Sequence, residues 1–244
     1  MLISGHKSDI GLVRQNNEDA LYKNDRLGVY VLADGMGGHE GGEIASNIAV
    51  NTVAKILSRS IIELQKKNVG EIVHNALHKA NEEIILFRKN QINLMSMATT
   101  VVISIFLDDV VYCIHLGDSR AYLYKKDNNL IQLTADDSLV TEMLKRGMMR
   151  KDVLQNHSLR NIVTRFLGTV NLTLPEIQQF RVETNDCIML CSDGLTNMLN
   201  DEEIKSILRE NISIGPQEVC DLLVDRANAK GGQDNISVIV VQSK

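Results

Sequence analysis

The order in which two hydrophobic periods appear along the chain narrows its possible folds most. Residues 27–33, LGVYVLA, form a continuous apolar run that stops at Asp34-Gly35, as a buried strand running into a turn does. Two helical stretches follow. Residues 43–59 repeat apolar side chains at Ile44, Ile48, Val53, Ile56 and Leu57; residues 70–89 do so at Ile72, Ala76, Leu77, Ala80, Ile84 and Ile85. The period then shortens to that of strands over 99–107, 110–115, 121–125 and 130–134. Turn-forming clusters separate them at Asp108-Asp109, Gly117-Asp118 and Asp127-Asn128-Asn129. Residues 138–146 and 151–156 read as short helices in a flap spanning about 138–158. Strands over 177–182 and 187–191 precede two further helices. One starts at Asn200, with Asp201, Glu202 and Glu203 in a first turn that suits the helix dipole. The other has Pro216 at its first position and stops before Gly231-Gly232. A last strand covers 235–241. Strands and helices arrive in blocks rather than in strict alternation, which predicts an α+β fold with two sheets and helices outside them.

The 244 residues include only two prolines and show no Pro-rich linker, so one domain over residues 1–244, with its flap, is expected. A chain this long buries roughly 70–75% of its unfolded surface and needs no disulfide to hold a core. Cys113, Cys187, Cys191 and Cys220 lie in apolar stretches, as buried reduced thiols do, and without a Cys-x-x-Cys pair they make no zinc site. The net charge of −5 argues against a nucleic-acid partner. The N-terminus carries no signal pattern, and the longest apolar run, Val101 to Leu107, is far short of the ~20 residues that cross a bilayer. A cytoplasmic monomer is expected.

Five places set an acidic residue in a sharp-turn context beside a strand-like run: Asn17-Glu18-Asp19, Asp34-Gly35, Gly117-Asp118, Asp193-Gly194 and Gly232-Gln233-Asp234. Any one alone is an ordinary turn. Together they put carboxylates at the ends of buried strands, where desolvation is costly without a neutralising partner. Bases are scarce in these segments. Converging carboxylates without bases call for hard divalent cations such as Mg²⁺ or Mn²⁺.

Six segments carry a resemblance: GLVRQNNED at 11–19, DGMGGHEGG at 34–42, ATT at 98–100, GDSR at 117–120, CSDGL at 191–195 and GGQDN at 231–235. In this order and spacing they resemble the motifs of the metal-dependent protein phosphatases of type 2C, in their bacterial branch. The resemblance implies a four-layer α-β-β-α sandwich of two antiparallel sheets flanked by helices. It implies a site at one end holding two Mn²⁺ or Mg²⁺ ions, and hydrolysis of phosphoserine and phosphothreonine in proteins. By motif, Asp34 matches the carboxylate that bridges the ions, and Gly35 the residue whose carbonyl binds the second. Asp193 and Asp234 match those completing the first ion's shell. Glu18 and Asp19 match the acidic pair that holds surrounding waters, and Asp118 the ligand of a third, weaker ion. Arg14 matches the phosphate-binding arginine, whose planar fork fits two phosphoryl oxygens. The implied nucleophile is a water that paired charges acidify, with no phosphoenzyme and no cysteine nucleophile.

The proton donor stays open between His39 acting through a water, with Met36 standing where other branches place histidine, and a metal-bound water. His115 reads as a structural hydrogen-bonding residue. Two departures from the family pattern stand out: Ala98 replaces a common glycine, and Asp137 replaces a histidine at the base of the flap. Two other readings compete. A silent phosphoprotein-binding member would have lost one of Asp34, Asp193 and Asp234, yet all are present; a hydrolase of small phosphoesters would share the same site. A Ser/Thr kinase acting on the same proteins is the expected functional partner.

Overall fold

The computed structural model describes residues 1–37, 41–60, 69–89, 91–148, 159 and 162–244. Among them the strands are β1 Leu2–Asp9, β2 Asp19–Asn24, β3 Val29–Met36, β4 Ala98–Thr99, β5 Val101–Leu107, β6 Val110–Leu116, β7 Arg120–Tyr124, β8 Leu130–Gln132, β9 Gln178–Arg181, β10 Cys187–Cys191 and β11 Ile236–Ser243. The helices are α1 Gly41–Arg59, α2 Val69–Lys89, α3 Leu139–Lys145, α4 Asp193–Thr196, α5 Asp201–Asn211 and α6 Pro216–Ala229. One sheet runs β1-β11-β10-β7-β8. The other runs β2-β3-β5-β6-β9, with the two-residue β4 paired to β3. Every pairing is antiparallel.

The layers follow from side-chain alternation. In β3, Tyr30 and Leu32 point into the core between the sheets, while Val29, Val31 and Ala33 face α1 and α2. In β11, Ile239 and Val241 join the same central core, while Val238 and Val240 face α5 and α6. Both faces of these strands are covered, which is why they read as unbroken apolar runs. The result is the predicted α-β-β-α sandwich.

Several local readings are met. Asn200 and Glu203 form a reciprocal capping box on α5, and Pro216 opens α6. All four cysteines are free and buried, and Cys187 and Cys191 share one face of β10. Others need correction. β3 does not end before Asp34-Gly35 but continues through both to Met36, because Thr99 and Ala98 pair with Gly35 and Met36 and extend the ladder. β1 and β2 lack a clean apolar run and escape pattern reading; each is held by its neighbour's ladder instead. The short helix expected over 151–156 lies outside the described residues. Among the described residues no helix is long and apolar enough to cross a membrane.

Candidate active site

The acidic residues meet at the end of the sandwich where β3 and β10 finish and β2, β7 and β11 begin. Asp19 and Asp34 are direct cross-strand partners in the β2–β3 ladder. Asp193 starts α4 immediately after β10, and Asp234 lies just before β11. Ser192 at the end of β10 donates its backbone N–H to the Ser237 carbonyl of β11, which draws those two chain ends together. Asp118 sits in the turn between β6 and β7.

Local bonds lock this geometry. The backbone N–H of Asp34 donates to Thr100 Oγ1 at 3.0 Å, and its carbonyl accepts from Thr99 Oγ1 and the Thr100 N–H, each at 2.9 Å. Thr100 Oγ1 also contacts Ser119 Oγ at 2.7 Å, tying the Asp34 strand to the Asp118 turn. Asn235 does the same for the other edge. Its side chain accepts from the Glu18 N–H at 2.8 Å and donates to the carbonyls of Ile10 and Asn16, each at 2.9 Å. Gly35 is packed so closely that a Cβ there would lie 2.1 Å from the Gly42 carbonyl oxygen and 2.6 Å from that of Glu18. Only a residue without a side chain fits. Across this contact the Glu18 carboxylate lies against Gly42.

The electrostatics show how tightly the carboxylates converge. Burial and the charges of Asp193 and Asp234 push Asp19 up to about 7. Burial, Asp193 and Asp136 push Asp118 up to about 7. Asp34 is raised well above the ordinary carboxylate range by burial and by Asp19, Asp193, Asp118 and Asp234. Asp193 is raised by burial and by Asp234, against hydrogen bonds from Asn197 and Asp34. Burial also raises Glu18. Groups that lift one another in this way form a single pool of negative charge.

Arg14, expected by motif as the phosphate-binding arginine, lies beside these carboxylates. It reaches back from the loop after β1 and pairs with Asp234 Oδ2 at 2.6 Å, while half of its side chain stays exposed. Sequence spacing could not show this pairing, because the two residues are 220 positions apart.

Whether the site fits cations can be tested on its own atoms. Among the described residues, no three acidic, histidine or cysteine side chains already close around a common point. The donor set nevertheless suits hard ions. It is all oxygen, its charges repel, and Asp19 Oδ1 is buried without any hydrogen-bond partner. A cation or its water shell answers each of these features.

The remaining sequence candidates fall as follows. His39 lies outside the described residues. His115 Nε2 contacts the Ala135 carbonyl at 3.0 Å, a structural bond at the edge of the site. Ala98 sits in β4 opposite Met36. Asp137 is buried, accepts from the Gly117 N–H at 3.2 Å and pairs with Arg165. Thr99, Thr100, Ser192, Asn197 and Asn235 received no individual role from the sequence. Their signal was a hydroxyl or amide beside an acidic motif, which becomes informative only once the strands are paired.

Mutually repelling carboxylates beside a half-exposed arginine define a class of protein that handles divalent cations and anions together. The family model described as Protein phosphatase 2C matches residues 13–223. A serine/threonine phosphatase named stp from Listeria welshimeri is 36% identical over 241 residues, covering 97% of this chain and 94% of that protein. The crystal structure of the Mycobacterium tuberculosis serine/threonine phosphatase PstP/Ppp superposes with a TM-score of 0.91 at 30% identity, over 100% of this chain and 99% of that one. A structure of the PstP catalytic domain in complex with two manganese ions gives 0.87 at 29% identity, over 99% and 97%. The chain belongs to the protein phosphatase 2C family.

Proposed function

We propose that this chain removes phosphate from phosphoserine and phosphothreonine in proteins, using two divalent ions. The convergence of Asp19, Asp34, Asp118, Asp193 and Asp234 into one pool of charge carries this reading. Asp34, the Gly35 carbonyl, Asp193 and Asp234 would hold the two ions, either Mn²⁺ or Mg²⁺. Glu18 and Asp19 would hold waters around them, and Asp118 would hold a third, weaker ion. When bound, the ions supply the positive charge that acidifies a water and offsets the phosphoryl oxygens.

The chain's own residues do the rest. Arg14 exchanges its partner: a phosphoryl group takes the fork that Asp234 occupies here, and two parallel N–H···O bonds orient the ester. Thr99 and Thr100 fix the backbone that carries Asp34, and Asn235 fixes the one that carries Glu18, so the carboxylates are pre-positioned before substrate arrives. Asn197 holds Asp193 Oδ2 at 3.0 Å and sets its orientation.

The four free, buried cysteines suit a reducing compartment, which supports action in the cytoplasm. Proteins phosphorylated by a Ser/Thr kinase are the natural substrates. The test compares phosphothreonine peptides with nucleotides under EDTA and after Mn²⁺ addition. Peptide turnover that vanishes in EDTA and returns with Mn²⁺, at rates well above those on nucleotides, is the expected result. A preference for nucleotides would replace the protein substrate with a small phosphoester.

A further inference from the structure

Helix α2 buries an apolar face, and Asn81 is the one polar side chain in it. A buried amide is costly unless its hydrogen-bonding groups are used. Asn81 uses them on one short segment just after the base of the flap. Its Oδ1 accepts from the Gly168 N–H at 2.7 Å and the Thr169 N–H at 3.1 Å, and its Nδ2 donates to the Thr169 carbonyl at 3.0 Å. Two turns further along α2, Arg88 donates to the Gly168 carbonyl. Gly168 has a φ of +99°, and a Cβ there would lie 2.9 Å from the Met97 carbonyl oxygen and 3.1 Å from Ile84 Cγ2. The segment is clamped between α2 and the residues that lead into β4.

This clamp reaches the carboxylate scaffold through one peptide group. The N–H of the Leu167–Gly168 peptide is the one that Asn81 holds, and its carbonyl accepts from the Thr99 N–H at 3.1 Å. A peptide is a rigid plane, so fixing one end orients the other. The Leu167 N–H donates back to the Thr99 carbonyl at 2.9 Å and closes the bridge. β4 has only two residues, and its other edge pairs with Gly35 and Met36. Thr99 also gives its hydroxyl hydrogen to the Asp34 carbonyl at 2.9 Å. A continuous line of hydrogen bonds thus runs from Asn81 to the strand that carries Asp34 and Gly35.

We propose that Asn81 is a positioning residue for the ion site: from the outer helical layer it sets the strand that presents the Asp34 carboxylate and the Gly35 carbonyl, and with it the affinity for divalent ions. The assignment rests on the phosphatase reading above, which places ions at those two residues. Calorimetry with Mn²⁺ alone tests it, beside melting curves in EDTA. In Asn81→Ala the affinity for Mn²⁺ should fall about tenfold. In Arg88→Met, a partly exposed site where no core cavity opens, it should fall less but in the same direction. Turnover of a small aryl phosphate should then need correspondingly more Mn²⁺, with KM for the ester constant because Arg14 lies off this line. Val73→Ala, about 12 Å away on the same helix, should lower the melting temperature through a core cavity and leave Mn²⁺ affinity unchanged. Unchanged Mn²⁺ affinity in both Asn81→Ala and Arg88→Met, whatever their melting temperatures, reduces the clamp to a structural contact and overturns the proposal. If Asn81→Ala does not fold, Arg88→Met decides alone. An equal loss of affinity in Val73→Ala overturns the proposal too, as general loosening of the helix. A wild type that binds Mn²⁺ but turns over no phosphopeptide would sink the phosphatase reading instead and leave the comparison of Mn²⁺ affinities standing.

Discussion

The carboxylate end of the sandwich and the base of the flap are built by opposite rules. At the carboxylates, each functional side chain stands on a strand end or helix start whose backbone is bonded on both sides, and the Gly35–Gly42 approach leaves no slack. At the flap base, α3 has seven residues and buries only Val140. It is tied down by the Ser138 cap, a bridge between Ser138 and Val163, and a bond from the Leu139 N–H to the Ile162 carbonyl at 2.8 Å. Met148 is 70% exposed and Ile162 44%. The first region is bonded on every side, and the second has fewer buried contacts, although Asp137 and Leu167 tie its base to Gly117 and Thr99. We propose that the chemistry sits on the locked end and that choice among substrates falls to the loosely tied one.

The largest effect should come from the locked end. Asp193→Asn keeps the shape and the Asn197 contact but removes a charge from the pool. Its kcat on a phosphothreonine peptide should fall by roughly a thousandfold or more, the scale of losing about 4 kcal/mol of transition-state stabilisation. The melting temperature in EDTA should stay level or rise slightly, because Asp193 no longer repels Asp234. A variant with near-normal kcat would remove Asp193 from the site and dissolve the contrast.

The sequence carried the carboxylates but not their scaffold. Asp34 and Asp193 were legible because an acid next to glycine at the end of a buried strand is chemically expensive, Asp234 because it follows Gly231-Gly232 just before the closing strand, and the motifs gave their order. The strand that contains Asp34 was misjudged as ending there. Asp-Gly is a turn signal in isolation, and only the pairing of Ala98–Thr99 across from Gly35 and Met36 overrides it. The Arg14–Asp234 pair was illegible for a different reason: contacts between residues near opposite ends of a chain leave no local pattern. β2 shows the same limit, since its alternating and partly polar residues become a strand only because β3 is beside them.

A second, intermediate effect separates the two regions by pH. Burial and mutual repulsion raise Asp19, Asp118, Asp34 and Asp193 in the folded, ion-free protein. The unfolded chain's carboxyls titrate near 4. Between about 4 and 7 the folded state therefore holds protons that the unfolded state has lost, and stability falls as pH rises. The contribution of Asp19 and Asp118 is complete below about 4 and is lost as pH rises through about 7, and Asp34 and Asp193 act in the same direction. Melting temperatures measured in EDTA should drop across that window, and Mn²⁺ should flatten the slope by taking the protons' place. A slope that is the same with and without Mn²⁺ would mean that the ions bind elsewhere.

The smallest effect should come from the flap. Met148 is exposed and touches no part of the carboxylate scaffold, so Met148→Ser should leave the melting temperature within the scatter of surface substitutions, about 0.5 kcal/mol. Turnover of a small aryl phosphate, too short to reach it, should not change. With a whole phosphoprotein, KM should rise by about threefold as part of one apolar side chain's contact is lost, at constant kcat. The two substrates measured on one variant read the two regions separately. If kcat on the aryl phosphate fell along with affinity for the phosphoprotein, the flap would be mechanically coupled to the carboxylates through Asp137 and the Gly117 turn, and the division between a locked chemistry and a free periphery would be wrong.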